Sequence, residues 1–273
     1  LRQIIADLGS AGVAFSGGAD STLLLALCRD VLGPERVLAL TLCSELTPAV
    51  EQERAAQLAR TLGVRHIQVP ISALAHPDIA ANRPDRCYHC KRAMFGRLLE
   101  IVRAEGLSAL VHGANVDDLG DYRPGLRAAE ELGVRAPFLE AGLTKADIRE
   151  LSRQLGLPTA DQPSMACLAS RIPYGTPLTA EALARVDAAE EVLRREWGLR
   201  QLRVRDHFPL ARLEVPEDDI PRLAALPARR EIARRLRELG YRYVTLDLEG
   251  FRSGSLNPVV DVFATNYTNL HEK

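Results

Sequence analysis

An α/β protein built on a parallel sheet and followed by a smaller α+β unit is what this 273-residue chain predicts. Three features carry that expectation. Short apolar runs alternate with stretches of helical period through the first 155 residues or so, the pattern of strands that need crossover helices. A Ser-Gly-Gly-Ala-Asp-Ser turn at 16–21 sits between the first apolar run and the first helical stretch. After an irregular segment at 161–177, charges alternate with apolar residues instead, the period-2 signature of half-covered strands. The expected divisions are therefore 1–160, a connecting loop or hinge at 161–177, and 178–273.

The elements follow in order. Strands are expected at 13–15, 37–42, 66–69 and 109–111, where short apolar runs recur between stretches of helical period. Helices are expected at 21–31, 48–62 and 90–104, and again at 146–155, where Thr144 is placed as an N-cap. Residues 161–177 hold three prolines, Gly175 and a Ser/Met/Cys cluster without a clean period, which reads as a functional loop. Beyond it come a helix near 179–197, strands near 201–206 and 210–215, a helical region across 217–239 broken by Pro221 and Pro227, and a strand at 242–248.

Composition narrows the class. Hydrophobic residues make up 47% and charged ones 26%, ordinary for a globular protein, and the formal net charge is −1. That balance offers no electrostatic footprint for a polyanion, so nucleic acid is not an expected partner. No apolar stretch approaches the ~20 residues that span a bilayer, so a cytoplasmic protein without membrane contact is expected. The only lysines are Lys91, Lys145 and Lys273 among 35 basic residues, and two of them fall within the motifs below. Five cysteines in a reducing compartment do not suggest disulfides. Cys28 and Cys43 sit in apolar runs and read as small buried hydrophobes. Cys87, Cys90 and Cys167 do not.

The 16–21 turn reads as an anion site: two glycines allow a positive φ and close approach, and the following helix directs its free N–H groups at the ligand. No Gly-Lys-Ser/Thr follows, so it is not a Walker-type loop. The hexapeptide resembles the signature of the PP-loop ATP pyrophosphatases, which split ATP to AMP and pyrophosphate. That resemblance implies that Ser16, Gly17, Gly18 and Ser21 hold the pyrophosphate and that Asp20 places Mg²⁺. A capped Gly-Gly turn is the alternative, and the flanking strand and helix weigh against it.

Other constellations are less specific. Cys87-Tyr88-His89-Cys90-Lys91 opens a helix and Cys167 follows at a distance. A structural zinc site would want a fourth ligand, and a thioredoxin-like pair would want no third cysteine. A CxxC with one remote thiol suits an iron–sulfur cluster with one iron left open; an unligated CxxC is the bland alternative. Asn115, Asp117 and Asp118 follow the 109–111 strand and would either bind Mg²⁺ or nucleotide or cap the next helix. Lys145, beside the Thr144 cap, could reach a phosphate. Arg203 and Arg205 on one strand, Arg212 and Glu214 on the next, and Arg252 before Ser253-Gly254-Ser255 would either grip a phosphorylated substrate or form a solvated face.

Beyond the loop, the sequence resembles the LarE sulfur transferases, PP-loop enzymes that make the nickel-pincer nucleotide cofactor of lactate racemase. The resemblance runs through 14–21, 87–91, 113–129 (GANVDDLGDYRPGLRAA), 140–149, 161–175 (DQPSMACLASRIPYG), 203–215 and 250–257. It implies a PP-loop, adenine nucleotide α-hydrolase-like fold with a C-terminal substrate-binding and oligomerisation unit, hence a homo-oligomer. It implies an ATP- and Mg²⁺-dependent enzyme that adenylates a carboxylate of a pyridinium biscarboxylate mononucleotide and turns it into a thiocarboxylate. Ser16, Gly17, Gly18, Asp20, Ser21, Asp118 and Lys145 would serve ATP; Ser170, Arg171, Arg205, Arg212, Glu214 and Arg252 the substrate. Cys167 matches the family's sulfur-donor position. One branch sacrifices that cysteine to dehydroalanine; another carries a [4Fe–4S] cluster on three cysteines, recharged by sulfide or another sulfur donor. Cys87, Cys90 and Cys167 place this chain with the second. Where the family often continues with an acidic residue after 250–257, this chain has Pro258. Ammonia-dependent amidation of the NAD-synthetase type, tRNA thiolation and a zinc-stapled nucleotide-binding module are the competing readings.

Overall fold

The computed structural model describes residues 1–120, 124–162 and 166–252. The chain divides into two compact units, Leu1–Ala73 with Asp85–Met165, and Leu74–Pro84 with Ala166–Lys273.

The first unit is the expected parallel sheet. β1 (Ala11–Ala14) leads to α1 (Ala19–Leu32), β2 (Val37–Cys43), α2 (Ala49–Thr61), β3 (Arg65–Pro70), α3 (Arg86–Ala104), β4 (Ala109–Val111) and α4 (Lys145–Gln154). The strand order is β3-β2-β1-β4, all neighbours parallel. Strands begin and end within about two residues of the sequence expectation, because each apolar run is bounded by turn residues. α1 is apolar nearly all round: Leu23, Leu24, Leu25 and Cys28 are fully buried, joining Val13, Ala39, Phe138 and Ile148 in one core. A helix of that composition must be covered on both faces. Gly33 and Pro34 stop it. The opposite side of the sheet packs Leu38, Leu40 and Leu110 against Phe95, Leu98 and Val102 of α3.

α3 starts at Arg86 rather than near Cys90, so Cys87 and Cys90 lie inside its first two turns. Cys28 is buried as expected, and burial pushes its thiol up to about 12. Cys43 is not: it is half-buried at the end of β2.

The second unit contains α5 (Ala180–Trp197), β5 (Arg203–His207), β6 (Leu210–Glu214), α6 (Ala228–Glu238) and β7 (Tyr243–Leu246). β5 and β6 are antiparallel, β6 and β7 parallel. Pro221 opens a short helix, Ile220–Ala224, and the break falls between that helix and α6. Leu193, Val204, Leu213, Ile232 and Leu236 form the core. Residues 74–84, expected in the first unit, cluster with the second instead. Asn82 explains why. Fully buried at φ +52°, it donates through Nδ2 to the carbonyls of Pro173 and Thr176, both at 2.9 Å, while its own carbonyl accepts the Gly175 N–H. No backbone period reveals such a tie.

Asn82→Ala should destabilise the second unit by about 2–4 kcal/mol, removing the donor to the Pro173 and Thr176 carbonyls and putting alanine, which tolerates the left-handed region less well than asparagine, at φ +52°. Asn82→Asp should fail to rescue it, because a carboxylate cannot donate. Urea unfolding of the full chain measures both.

Candidate active site

The strand order reverses at β1: β2 leaves to one side, β4 lies on the other. Crevices at the carboxyl ends of strands, where such a reversal occurs, are where parallel sheets bind ligands. The Phe15 N–H still bonds the Leu40 carbonyl at 2.8 Å, so Ser16 is the first residue clear of the ladder. Within the turn the Ser16 N–H donates to Ser21 Oγ (3.2 Å), the Ser21 hydroxyl donates to the Gly18 carbonyl (3.3 Å), and the two serine hydroxyls stand 3.1 Å apart. Gly17 has φ +73°, and a Cβ there would sit 3.1 Å from Ala55 Cα and 3.2 Å from Ala55 Cβ. Only glycine satisfies both the handedness and the contact with α2. Gly18 is the N-cap of α1, so the first-turn N–H groups of that helix open onto the turn.

Asp20, in that first turn, is held from two directions. Its Oδ2 pairs with Lys145 Nζ, and its Oδ1 accepts from Asn115 Nδ2 at 3.3 Å. Gly113 makes the approach possible: a Cβ there would lie 3.0 Å from Asp20 Cβ and 3.2 Å from the Ser21 nitrogen. Asn115 is buried, and its Oδ1 accepts the Asp117 N–H at 3.1 Å while Asp118 Oδ2 accepts the Asn115 N–H at 3.0 Å. Asp117 Oδ2 accepts the Lys145 N–H at 2.5 Å, and Thr144 with Asp147 forms a capping box on α4. Asn115 therefore both caps its own turn and reaches Asp20, whereas Asp118 serves to close the turn. Three stretches far apart in sequence meet at one carboxylate. Asn115 was legible as polar but not as the link, because nothing local indicates which side chain the Gly113 approach brings within reach.

Along the same edge a cleft of about 460 Å³ opens between the ends of β2 and β3, lined by Cys43, Ser44, Glu45, Gln52, Pro70, Ile71 and Ser72. Below, His66 Nε2 stands 2.8 Å from Thr41 Oγ1, which donates to the Phe15 carbonyl at 2.7 Å. That hydroxyl has no second hydrogen, so His66 is the donor and carries its proton on Nε2. Burial, with Lys91 adding to it, pushes His112 at the end of β4 down to about 4, and its ring lies 5.4 Å from that of Phe95.

The thiols divide between the units. Cys87 and Cys90 stand at i and i+3 of α3, half-buried and outside any disulfide; Cys90 Sγ lies 3.5 Å from Met94 Sδ. Cys167 is exposed, at the start of a 3₁₀ turn, Leu168–Arg171. Thiols are a suitable donor set for iron–sulfur chemistry. Among the described residues no three His, Cys, Asp or Glu side chains gather as a metal-holding group.

Two expectations for the second unit need correction. The face carrying Arg203, Arg205 and Glu214 is not solvated: all three are buried, because Glu190 of α5 and Arg171 pack onto it. Glu190 Oε1 accepts the Val204 N–H at 3.1 Å and Arg171 Nε at 2.8 Å. Burial opposes ionisation of Glu190, yet Arg171, Arg194 and Arg203 outweigh it and hold the carboxyl below its ordinary range. Arg171, expected to touch substrate, is completely buried in this network. Arg205 bridges Glu214 Oε2 and the Ser170 carbonyl, each at 2.6 Å. Arg212 is half-buried and paired with Asp247 (2.5 Å) and Glu214 (3.2 Å). Arg252 is exposed and pairs with Glu249, while Ser253, Gly254, Ser255 and Pro258 lie outside the described residues.

Compared with known proteins, the chain is 42% identical over 257 residues to the pyridinium-3,5-bisthiocarboxylic acid mononucleotide synthase of Lactiplantibacillus plantarum, covering 94% of this chain and 92% of that one. It belongs to the LarE family. It is thus an ATP-dependent sulfurtransferase of the PP-loop class. An uncharacterized protein of Synechocystis is 41% identical over 260 residues, covering 95% of this chain and 96% of its own. The NAD synthase family matches residues 1–83, and an NH(3)-dependent NAD(+) synthetase of Methanosarcina acetivorans is 34% identical over 164 residues, 56% of this chain and 61% of that one. The loop at 16–21 is what a LarE-family enzyme shares with the amidating synthetases, whereas the LarE likeness continues through the cysteine-bearing turn. Among the described residues no helix is long and apolar enough to cross a membrane.

Gly17→Ala should cost about 1–2 kcal/mol in left-handed strain and weaken ATP binding about tenfold, read by isothermal titration. Because His112 titrates lower in the folded chain than the ordinary ~6.5, folding should be fully supported above that pH. Stability should then fall as the pH drops toward 4, when the unfolded state takes up the proton first. Urea midpoints across that range, with the His112 ring resonance unshifted between pH 6 and 8, check this.

Proposed function

We propose that this chain adenylates a carboxylate of a pyridinium biscarboxylate mononucleotide and converts it to a thiocarboxylate, with sulfur delivered at Cys167. The observation that carries the reading is an exposed Cys167 thiol on a turn whose Cys167 carbonyl accepts from Ser170 and Arg171, in a chain alike over 94% of its length to a synthase of that product. A carboxylate oxygen is a poor leaving group. Joining it to AMP makes a good one, and a sulfur nucleophile can then attack the carbonyl carbon.

The residues divide the work. Ser16, Gly17, Gly18 and Ser21 hold the β- and γ-phosphates against the N-terminus of α1. Asp20 orients Mg²⁺, and Lys145, paired with it in the free chain, turns to the phosphate that leaves. The cleft beside Cys43 and Gln52 suits the nucleoside half of ATP. Residues 1–160 act as the pyrophosphatase part, 161–177 as the hinge, and 178–273 as the substrate-binding and oligomerising part of a cytoplasmic homo-oligomer. Ser170, Arg212 and Arg252 are the groups offered to substrate; Arg171, Arg205 and Glu214 act behind them. A [4Fe–4S] cluster on Cys87, Cys90 and Cys167, refilled by sulfide or another sulfur donor, would supply an exchangeable sulfur.

A second reading, in which Cys167 gives up its own sulfur, is favoured by the hydrogen bonds converging on its carbonyl. Likeness to the NAD synthetase covers 56% of this chain, against 94% for the bisthiocarboxylic acid synthase, which disfavours amidation.

Cys167→Ser should abolish thiocarboxylate formation from the biscarboxylate nucleotide while leaving substrate-dependent pyrophosphate release within about twofold, far below the tenfold per 1.4 kcal/mol that a damaged ATP site would show. Protein purified without oxygen should hold about four irons per chain if the cluster reading is right. Pyrophosphate release answering to tRNA, or to ammonia with an amide product, would sink the proposal.

A further inference from the structure

Thr41 carries the one hydroxyl in the apolar run of β2, and it is only 3% exposed. Valine has the same shape and would leave no polar group to desolvate there. The hydroxyl is used twice: it donates to the Phe15 carbonyl at 2.7 Å, and its oxygen accepts from His66 Nε2 at 2.8 Å. The His66 ring also meets the Phe15 ring edge-on, with centroids 6.3 Å apart and planes at 89°. One chain of hydrogen bonds therefore crosses the sheet, from β3 through β2 to the residue that follows β1.

Its place along the strands gives it meaning. β1 and β2 pair in register as far as Ala14 with Leu40, and one further step would set Phe15 opposite Thr41. There the chain leaves the sheet, and a side-chain hydroxyl takes the carbonyl that a continued ladder would offer to a backbone N–H. The peptide unit is planar, so the Phe15 carbonyl and the Ser16 N–H turn together. Thr41 fixes one end of that plane, and Ser21 Oγ accepts from the other at 3.2 Å. An anion arriving in the turn competes for the Ser16 N–H and for the serine hydroxyls. The hold on the carbonyl survives that exchange.

We infer that Thr41 and His66 are positioning residues for the pyrophosphate of ATP: the Thr41 hydroxyl sets the peptide between Phe15 and Ser16 so that the Ser16 N–H faces the anion, and His66 holds the hydroxyl to that task. A threonine hydroxyl has one proton and can swing it between directions. With the Nε2–H of His66 occupying its oxygen, that proton is left for Phe15. Both residues act through the turn and make no contact with the nucleotide themselves. The inference rests on reading residues 16–21 as the pyrophosphate site.

The test titrates the full chain with ATP and with AMP, each with Mg²⁺, by isothermal calorimetry. AMP lacks the two phosphates that the turn would hold. Thr41→Val should lower the ratio of ATP to AMP affinity about tenfold, the upper range for one neutral hydrogen bond. Thr41→Ser, which restores the hydroxyl, should return the ratio to within about twofold of the unaltered chain. His66→Phe, which keeps a ring against Phe15, should lower it about threefold, and His66→Gln, whose amide can donate from a similar position, should recover it. Should Thr41→Val fail to fold, the half-buried His66→Phe decides the matter. A merely structural hydroxyl would lower the melting temperature and weaken both ligands equally. That result, or an unchanged ratio in the variant that folds, would overturn the inference. Gly17→Ala separates it from the reading beneath: a lower ratio in Gly17→Ala alone sinks only the Thr41 and His66 relay, whereas no change in any variant shows that the turn does not hold the pyrophosphate and takes both down.

Discussion

Placing β1 between β2 and β4 is the constraint on which the first unit depends. Chain leaving β1 departs toward one side while β4 returns on the other, so the carboxyl end of β1 is left open rather than roofed by a crossover. The phosphate turn occupies that opening, and the segment after β4 arrives beside it. Gly17 and Gly113 are both placed where a side chain would meet backbone, of α2 in one case and of α1 in the other. Asp20 then becomes the meeting point of α1, the turn after β4 and the start of α4.

In the second unit, charge as well as the burial of Leu168 and Ala169 organises the cysteine-bearing turn. Glu190 and Glu214 are buried carboxylates, and each is surrounded by arginines that reach outward to backbone oxygens of 166–170. A solvated sheet face would leave that turn to find its own geometry. The buried network holds it in one arrangement, at an electrostatic cost that makes sense where the position of a reacting atom matters more than stability. Arginine suits the task, since its planar fork can engage a carboxylate and a carbonyl in the same plane, which an ammonium cannot.

The two halves of the chemistry thus use different devices. ATP is met by backbone N–H groups and a helix terminus, which accept any phosphate of the right shape. In the proposed reading, sulfur is presented by a turn whose Ala166, Cys167, Ala169 and Ser170 carbonyls all accept hydrogen bonds. The contrast fits the sequence comparisons, where the NAD synthase family matches residues 1–83, which hold the first device, and the relatives alike along nearly the whole chain span both.

Much of the fold was legible because its signals are local. Apolar runs bounded by Gly, Pro and Asp mark the strands, Thr144 and Asp147 mark the start of α4, and the Ser16–Ser21 turn is recognisable from six consecutive residues. The cysteines stood out by spacing alone. The burial of Arg203, Arg205 and Arg171, the use of Asn115 as the link to Asp20, and the membership of residues 74–84 in the second unit were not legible. Sequence by itself determined which elements form and which residue types could do chemistry, since propensity, capping and periodicity act over a few residues. Tertiary structure alone decided which of those side chains are exposed to a ligand and which are consumed inside the protein. Whether an arginine meets solvent or a buried glutamate depends on what packs over it from far along the chain, and alternation within a strand cannot encode that.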